Sequence, residues 1–176
     1  MKVSWAALLA AIVVVTGPNA FAQQSAKTIS ADLAMAMVQE AVAKCRTEGS
    51  KITAKVVDAS NLEKAFLRDE GAGAVTVEFA QAKINTVLLT GRGSGANPDG
   101  MPQIIKGVSP KQQIFGGMSA IDASGKLIHA IDAGGAVPIR IGNELVGVIG
   151  VSGASSPATD IVCANAGLAK VADKLK

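Results

Sequence analysis

The chain has 176 residues, with 17 basic against 14 acidic side chains and a net charge of +3, about half of it apolar and only 3% aromatic. Nearly balanced charge, no dense Lys/Arg run and so few rings exclude a nucleic-acid binder, which needs a basic stripe or stacking platforms. One histidine and two cysteines exclude a zinc ligand set of the usual spacing.

In chain order, Lys2, the apolar run Trp5–Thr16, the break at Gly17-Pro18 and Ala20-Phe21-Ala22 form a secretory signal peptide over residues 1–22, too short in its apolar part to span a bilayer. Cleavage after Ala22 leaves residues 23–176 as a single domain with no membrane span, exported to the periplasm or secreted. Ser30 reads as a helix N-cap with Asp32 in the first turn, and Leu33, Met37, Ala41 and Cys45 continue an apolar stripe to Gly49. The Met35/Met37 pair reads as core packing. Residues 51–58 and 62–68 form two strands joined through Asp58, Ser60 and Asn61, and 69–74 is a charged loop in which Asp69 and Glu70 are not an acid–base pair.

Residues 75–89 are predicted as a second helix, with Phe79, Lys83 and Thr86 near one face and Val75, Ala82 and Leu89 adjoining. The Gly/Pro/Ser-rich stretch 90–111 has no period and reads as a flexible crossing, since GRGSG lacks the Gly-Lys-Ser/Thr ending of a phosphate loop. Strands are expected within 113–121 and 127–131, then a hairpin of AVPIRI and LVGVIGV turning at Gly142, with Pro138 at an edge or a bulge. Gly147, Gly150 and Gly153 recur every third residue, so neighbours in the series face opposite sides of a strand and form no nucleotide cradle. Ser156 and Pro157 open a last helix with Ile161, Ala164, Leu168, Val171 and Leu175 on one side. The order predicts an α+β domain: an antiparallel sheet of about five strands flanked by N-terminal, middle and C-terminal helices. Cys45 and Cys163 are either a disulfide, as an oxidising compartment invites, or two buried thiols.

The segments ITAKVVDASNLEKAFLRDEGA, AQAKINT, GGAVPIRIGNELVGVIGVSG and DIVCANAG, in that order, resemble the GlcG/HbpS-like haem-binding family, which is related to the C-terminal domain of PduO-type adenosyltransferases. The resemblance spans the chain from about Ile52 onward. It implies a profilin- or PAS-like fold, a homo-oligomer with octamers known in the family, and haem or a related tetrapyrrole as ligand. Arg68, Gly71, Lys83, Thr86, Gly135, Pro138, Gly150, Gly153, Asp160 and Cys163 fall on its pattern, mostly as fold-making positions. One branch carries a ligating histidine early in the domain, and this chain has none in its first helix.

Candidate cofactor residues therefore come from the side chains themselves. His129, the sole histidine, could supply a metal-ligating imidazole to haem iron, and Met101 or Met118 a thioether. Phe115 and Met118, with loop 90–111, could hold an apolar planar ligand, and Arg140 or Arg92 could pair with propionates. For each of these residues the competing reading is packing or a solvated surface. Ser152, His129 and Asp160 exist as a hydrolase trio, but GVSG lacks the nucleophile-elbow spacing. Two functions stay open: an exported, non-catalytic haem or tetrapyrrole binder for storage, sensing or delivery, and an oligomeric periplasmic accessory protein that takes another small molecule or a protein partner without haem.

Overall fold

The computed structural model describes residues 27–96, 118–121 and 127–175, with backbone only at 118–121 and 127. The signal segment 1–22, Met101 and Phe115 lie outside the described residues.

Helix α1 (Ala31–Thr47) begins where expected: the Ser30 hydroxyl accepts the Leu33 N–H at 3.3 Å. Met37 is fully buried, but Met35, read as core, is 42% exposed, because successive helical positions turn about 100° apart. Strands β1 (Thr53–Asp58) and β2 (Glu63–Arg68) form the expected hairpin. Its turn closes when the Asp58 carboxylate accepts the N–H groups of Ser60 and Leu62, while Asn61 takes a left-handed φ of 64°. Helix α2 (Val75–Thr90) follows, then β3 (Met118–Ile121), β4 (Leu127–Ala130), β5 (Ala136–Ile141), β6 (Glu144–Ser152) and α3 (Pro157–Ala169). The last helix stops at Ala169 rather than running on to Leu175, and a 3₁₀ turn (Ala172–Lys174) carries the chain on while Val171 stays buried.

The antiparallel α+β architecture matches the expectation, with a specific partition of strands. Four form one sheet in the order β2-β1-β6-β5, and among the described residues β3 and β4 pair only with each other. Pro138 sits on the edge strand β5, beside a register shift at Ile139/Arg140, so its missing N–H costs the sheet little. The period of two divides β1 and β6 between two cores. Val56 and Ile149 face α1 and α3 with Met37, Val42 and Cys163, whereas Val57 and Val148 face α2 with Ile84 and Val87.

The repeated glycines serve close approach, on alternate faces. A Cβ at Gly150 would lie 2.5 Å from Ile84 Cγ1 and 2.8 Å from the Ala80 carbonyl, so its absence lets α2 lie directly on β6. A Cβ at Gly147 would instead meet the Val57 carbonyl and Ile29. On the α1/α3 side, Cys45 and Cys163 form a buried disulfide with Cα atoms 5.5 Å apart. That resolves the two open readings of the cysteine pair.

Candidate functional site

Helix α2 is wedged between the sheet and the β3–β4 ribbon. This explains why its expected face was only partly right: Lys83, Thr86 and Ala82 are buried, but Val75 at the first turn is 53% exposed. The face toward the ribbon is polar. Glu78, Gln81, Ala82 and Asn85 recur at helical spacing and, with Asn61 of the β1–β2 turn and Ile128 and His129 of β4, line a groove of about 330 Å³.

Three amides organise this groove. The Gln81 side chain donates to Asn61 Oδ1 (3.0 Å) and to Asn85 Oδ1 (2.9 Å), and Asn61 Nδ2 donates to Asn85 Oδ1 (3.1 Å). Lys55 Nζ donates to Gln81 Oε1 at 3.0 Å while it pairs with Glu63. Asn85 Nδ2 then donates to the backbone carbonyl of His129 at 2.7 Å. His129 is exposed and lines the groove. The arrangement can hold a ligand edge that offers hydrogen-bonding atoms, and it can present one imidazole to a metal or an acceptor.

Of the expected site residues that are described, His129 lines the groove. Arg140 is on β5, where its guanidinium donates to the carbonyls of Asn143 and Gly91, both at 2.9 Å, so it ties the β5–β6 turn to the end of α2. Arg92 is exposed. The backbone of Met118 pairs with Ala130. Glu78, Gln81 and Asn85 were not singled out from the sequence, and Asn61 was read only as a turn residue; the polar residues at 78, 81 and 85, at helical spacing, were a readable signal.

The hydrolase trio does not assemble around Asp160. That carboxylate, buried at 3% exposure, accepts Lys83 Nζ at 2.6 Å and the Ala154 N–H at 3.0 Å. Burial pushes the Asp160 carboxyl above its ordinary range, and the Lys83 ammonium and backbone donors pull it the other way. Lys83 also donates to the Val151 carbonyl. A Cβ on Gly135 would lie 2.8 Å from the ammonium, so the pair is packed against backbone and leaves no room for a ligand.

The start of the long crossing is also not loose, contrary to the flexible stretch expected from residue 90. Ser94 is 2% exposed, its N–H donates to the Ala136 carbonyl, its hydroxyl accepts the Ala136 N–H at 2.8 Å, and the Gly95 N–H donates to Asp132 at 2.7 Å. Serine and glycine there cover the β5 edge, as edge strands require. Residues 97–117 of the expected pocket lie outside the described residues.

Residues 29–169 match the family described as haem degrading protein HbpS-like. Among solved structures, a double mutant of Streptomyces reticuli HbpS shares the fold at a TM-score of 0.65 and 22% identity, over 94% of this chain and 97% of that one. A complex of PduOC with haem gives 0.62 at 21% identity over 82% and 95%, and Klebsiella pneumoniae protein ORFY gives 0.62 at 20% over 85% and 94%. No curated protein matches the chain.

Proposed function

The chain belongs to the HbpS-like family, and from that premise we propose that it is an exported protein that binds haem or a related tetrapyrrole and holds it without converting it. What supports the reading is His129, an exposed residue that lines a groove, on a chain whose family is described as haem degrading protein HbpS-like. Haem would supply an iron that an imidazole can hold. The described residues fit it at one edge. His129 would take the ligand position and Ile128 an apolar contact, while the amides of Gln81 and Asn85 suit polar groups at the rim rather than a porphyrin face.

Export is supported by the Cys45–Cys163 bridge, since such bonds persist in oxidising compartments, together with the signal pattern of residues 1–22. Assembly into a homo-oligomer, up to an octamer, belongs to the same proposal. One observation favours the second reading, a periplasmic accessory protein without haem: the groove lining is mostly amide and carboxylate, which suits a small polar ligand.

Hemin titration of the purified protein, with His129→Ala in parallel, separates the two. The haem reading expects a saturable Soret change that moves to a different position in the variant. A titration curve indistinguishable from hemin in buffer overturns it in favour of the haem-free reading, and an unchanged spectrum in His129→Ala assigns the iron to another ligand.

A further inference from the structure

We propose that Asn85 is the positioning residue for His129, setting where its imidazole stands at the groove; this rests on the reading of His129 as the ligand-bearing residue. The argument starts from how β4 is held. Among the described residues that strand pairs only with β3, so the edge facing away from β3 has no strand partner. Carbonyls two residues apart on a strand point to the same side. His129 and Ile131 are so related, and both carbonyls are taken by side chains of α2: Asn85 Nδ2 donates to the first at 2.7 Å and Thr86 Oγ1 to the second at 2.8 Å. The Ile131 N–H in turn donates to the Ala82 carbonyl at 3.2 Å. Helix α2 thus stands in for the missing strand, and Asn85 is the contact made on the histidine itself.

The orientation of Asn85 is not free. An amide has one acceptor and one donor end. Its Oδ1 accepts two N–H groups, from Asn61 and Gln81, which turns Nδ2 toward β4. The residue is only 5% exposed, so a flipped amide would set donors against donors and an oxygen against the His129 carbonyl, with little water to relieve either. The three-amide cluster is therefore a device that fixes one hydrogen bond, and through it the place of one side chain.

His129 is the only histidine of the chain, so its ring gives a single assignable imidazole signal by NMR without any ligand present. Asn85→Ala is expected to displace or broaden that signal while the amide signals of α1 and α3 stay in place. In the hemin titration it is expected to weaken binding about tenfold, the factor for one lost hydrogen bond of ordinary strength, and to move the spectrum toward that of His129→Ala, with no further change in the double variant. Asn61→Gly, which suits the left-handed backbone there, removes one of the two donors holding Asn85 and is expected to shift the ring signal in the same direction by less; it serves if Asn85→Ala does not fold. A folded Asn85→Ala protein with the wild-type ring signal overturns the positioning role. A ring signal that moves in Asn85→Ala, together with a wild-type protein whose spectrum ignores hemin, overturns the haem reading and leaves the positioning role standing.

Discussion

The two faces of the sheet are built by different physics. Toward α1 and α3 the interface is aliphatic: Ile29, Met37, Val38, Val56 and Ile149 are each no more than 1% exposed, and a disulfide joins the helices. Toward α2 the apolar contribution is small, from Val57, Ile84, Val87, Ala136 and Val148. Much of the rest of what α2 buries is polar, and each group has a directed partner: Thr76 with Thr53, Lys83 with Asp160, Asn85 with His129, Thr86 with Ile131. Hydrophobic burial is non-directional and tolerates small shifts, whereas a buried hydrogen bond fails when its geometry does. One face therefore carries stability, and the other fixes the position of a helix and of the strand beyond it.

That division can be broken in measurable ways. Replacing both Cys45 and Cys163 by alanine releases a link across 118 residues of chain and is expected to lower unfolding free energy by about 2–5 kcal/mol, read from the urea midpoint. The His129 ring signal should not move; if it does, the faces are not independent. A smaller effect sharpens the contrast. Gly150→Ala and Gly147→Ala both overfill a packed contact and should each cost about 1–3 kcal/mol. Only Gly150 presses on α2, at Ile84 and Ala80, so only Gly150→Ala should disturb the His129 signal; Gly147→Ala presses on Val57 and Ile29 and should leave it alone. Equal disturbance by the two would show that the groove reports general loosening.

The same contrast explains what could be read from the sequence. The α1/α3 face was legible because its signals are clean: the stripe from Ala34 to Cys45 and the caps at Ser30 and Ser156. The α2 face was not. A helix buried on two sides has no single apolar stripe, so the one face expected of it took in Val75, which is exposed, and passed over Asn85, which is buried. The ribbon was expected within one sheet of about five strands, but strand pairing is a non-local choice, and β4 found its second partner in side chains of a helix more than forty residues earlier. His129 was flagged for its chemistry alone. Arg140 was flagged for charge and proved to bind backbone carbonyls at a helix end, where a cation is favoured.

Acid titration gives the smallest and most specific of these tests, because the two buried carboxylates respond in opposite directions. Asp69, behind α1, accepts both Arg46 Nη2 (2.6 Å) and Nε (3.1 Å), with Lys51 at 3.6 Å and the Glu70 N–H at 2.9 Å. The Arg46 hydrogen bonds hold its carboxyl below the ordinary range, against the effect of burial. A carboxyl lowered on folding contributes stability that is complete above its unfolded value, about 3.9, and is lost as pH falls through the lower folded value. Asp160, raised by burial, has the reverse sign: its contribution is complete below the unfolded value and is lost as pH rises through the folded one. Asp69→Asn should therefore flatten the loss of stability on acidification from about pH 5 downward, measured by urea unfolding at fixed pH steps, because the remaining Asp160 term runs the other way. If the variant loses stability in acid as steeply as the wild type, the Arg46–Asp69 clamp acts through shape rather than charge, and the α1 side owes its acid response to other carboxylates.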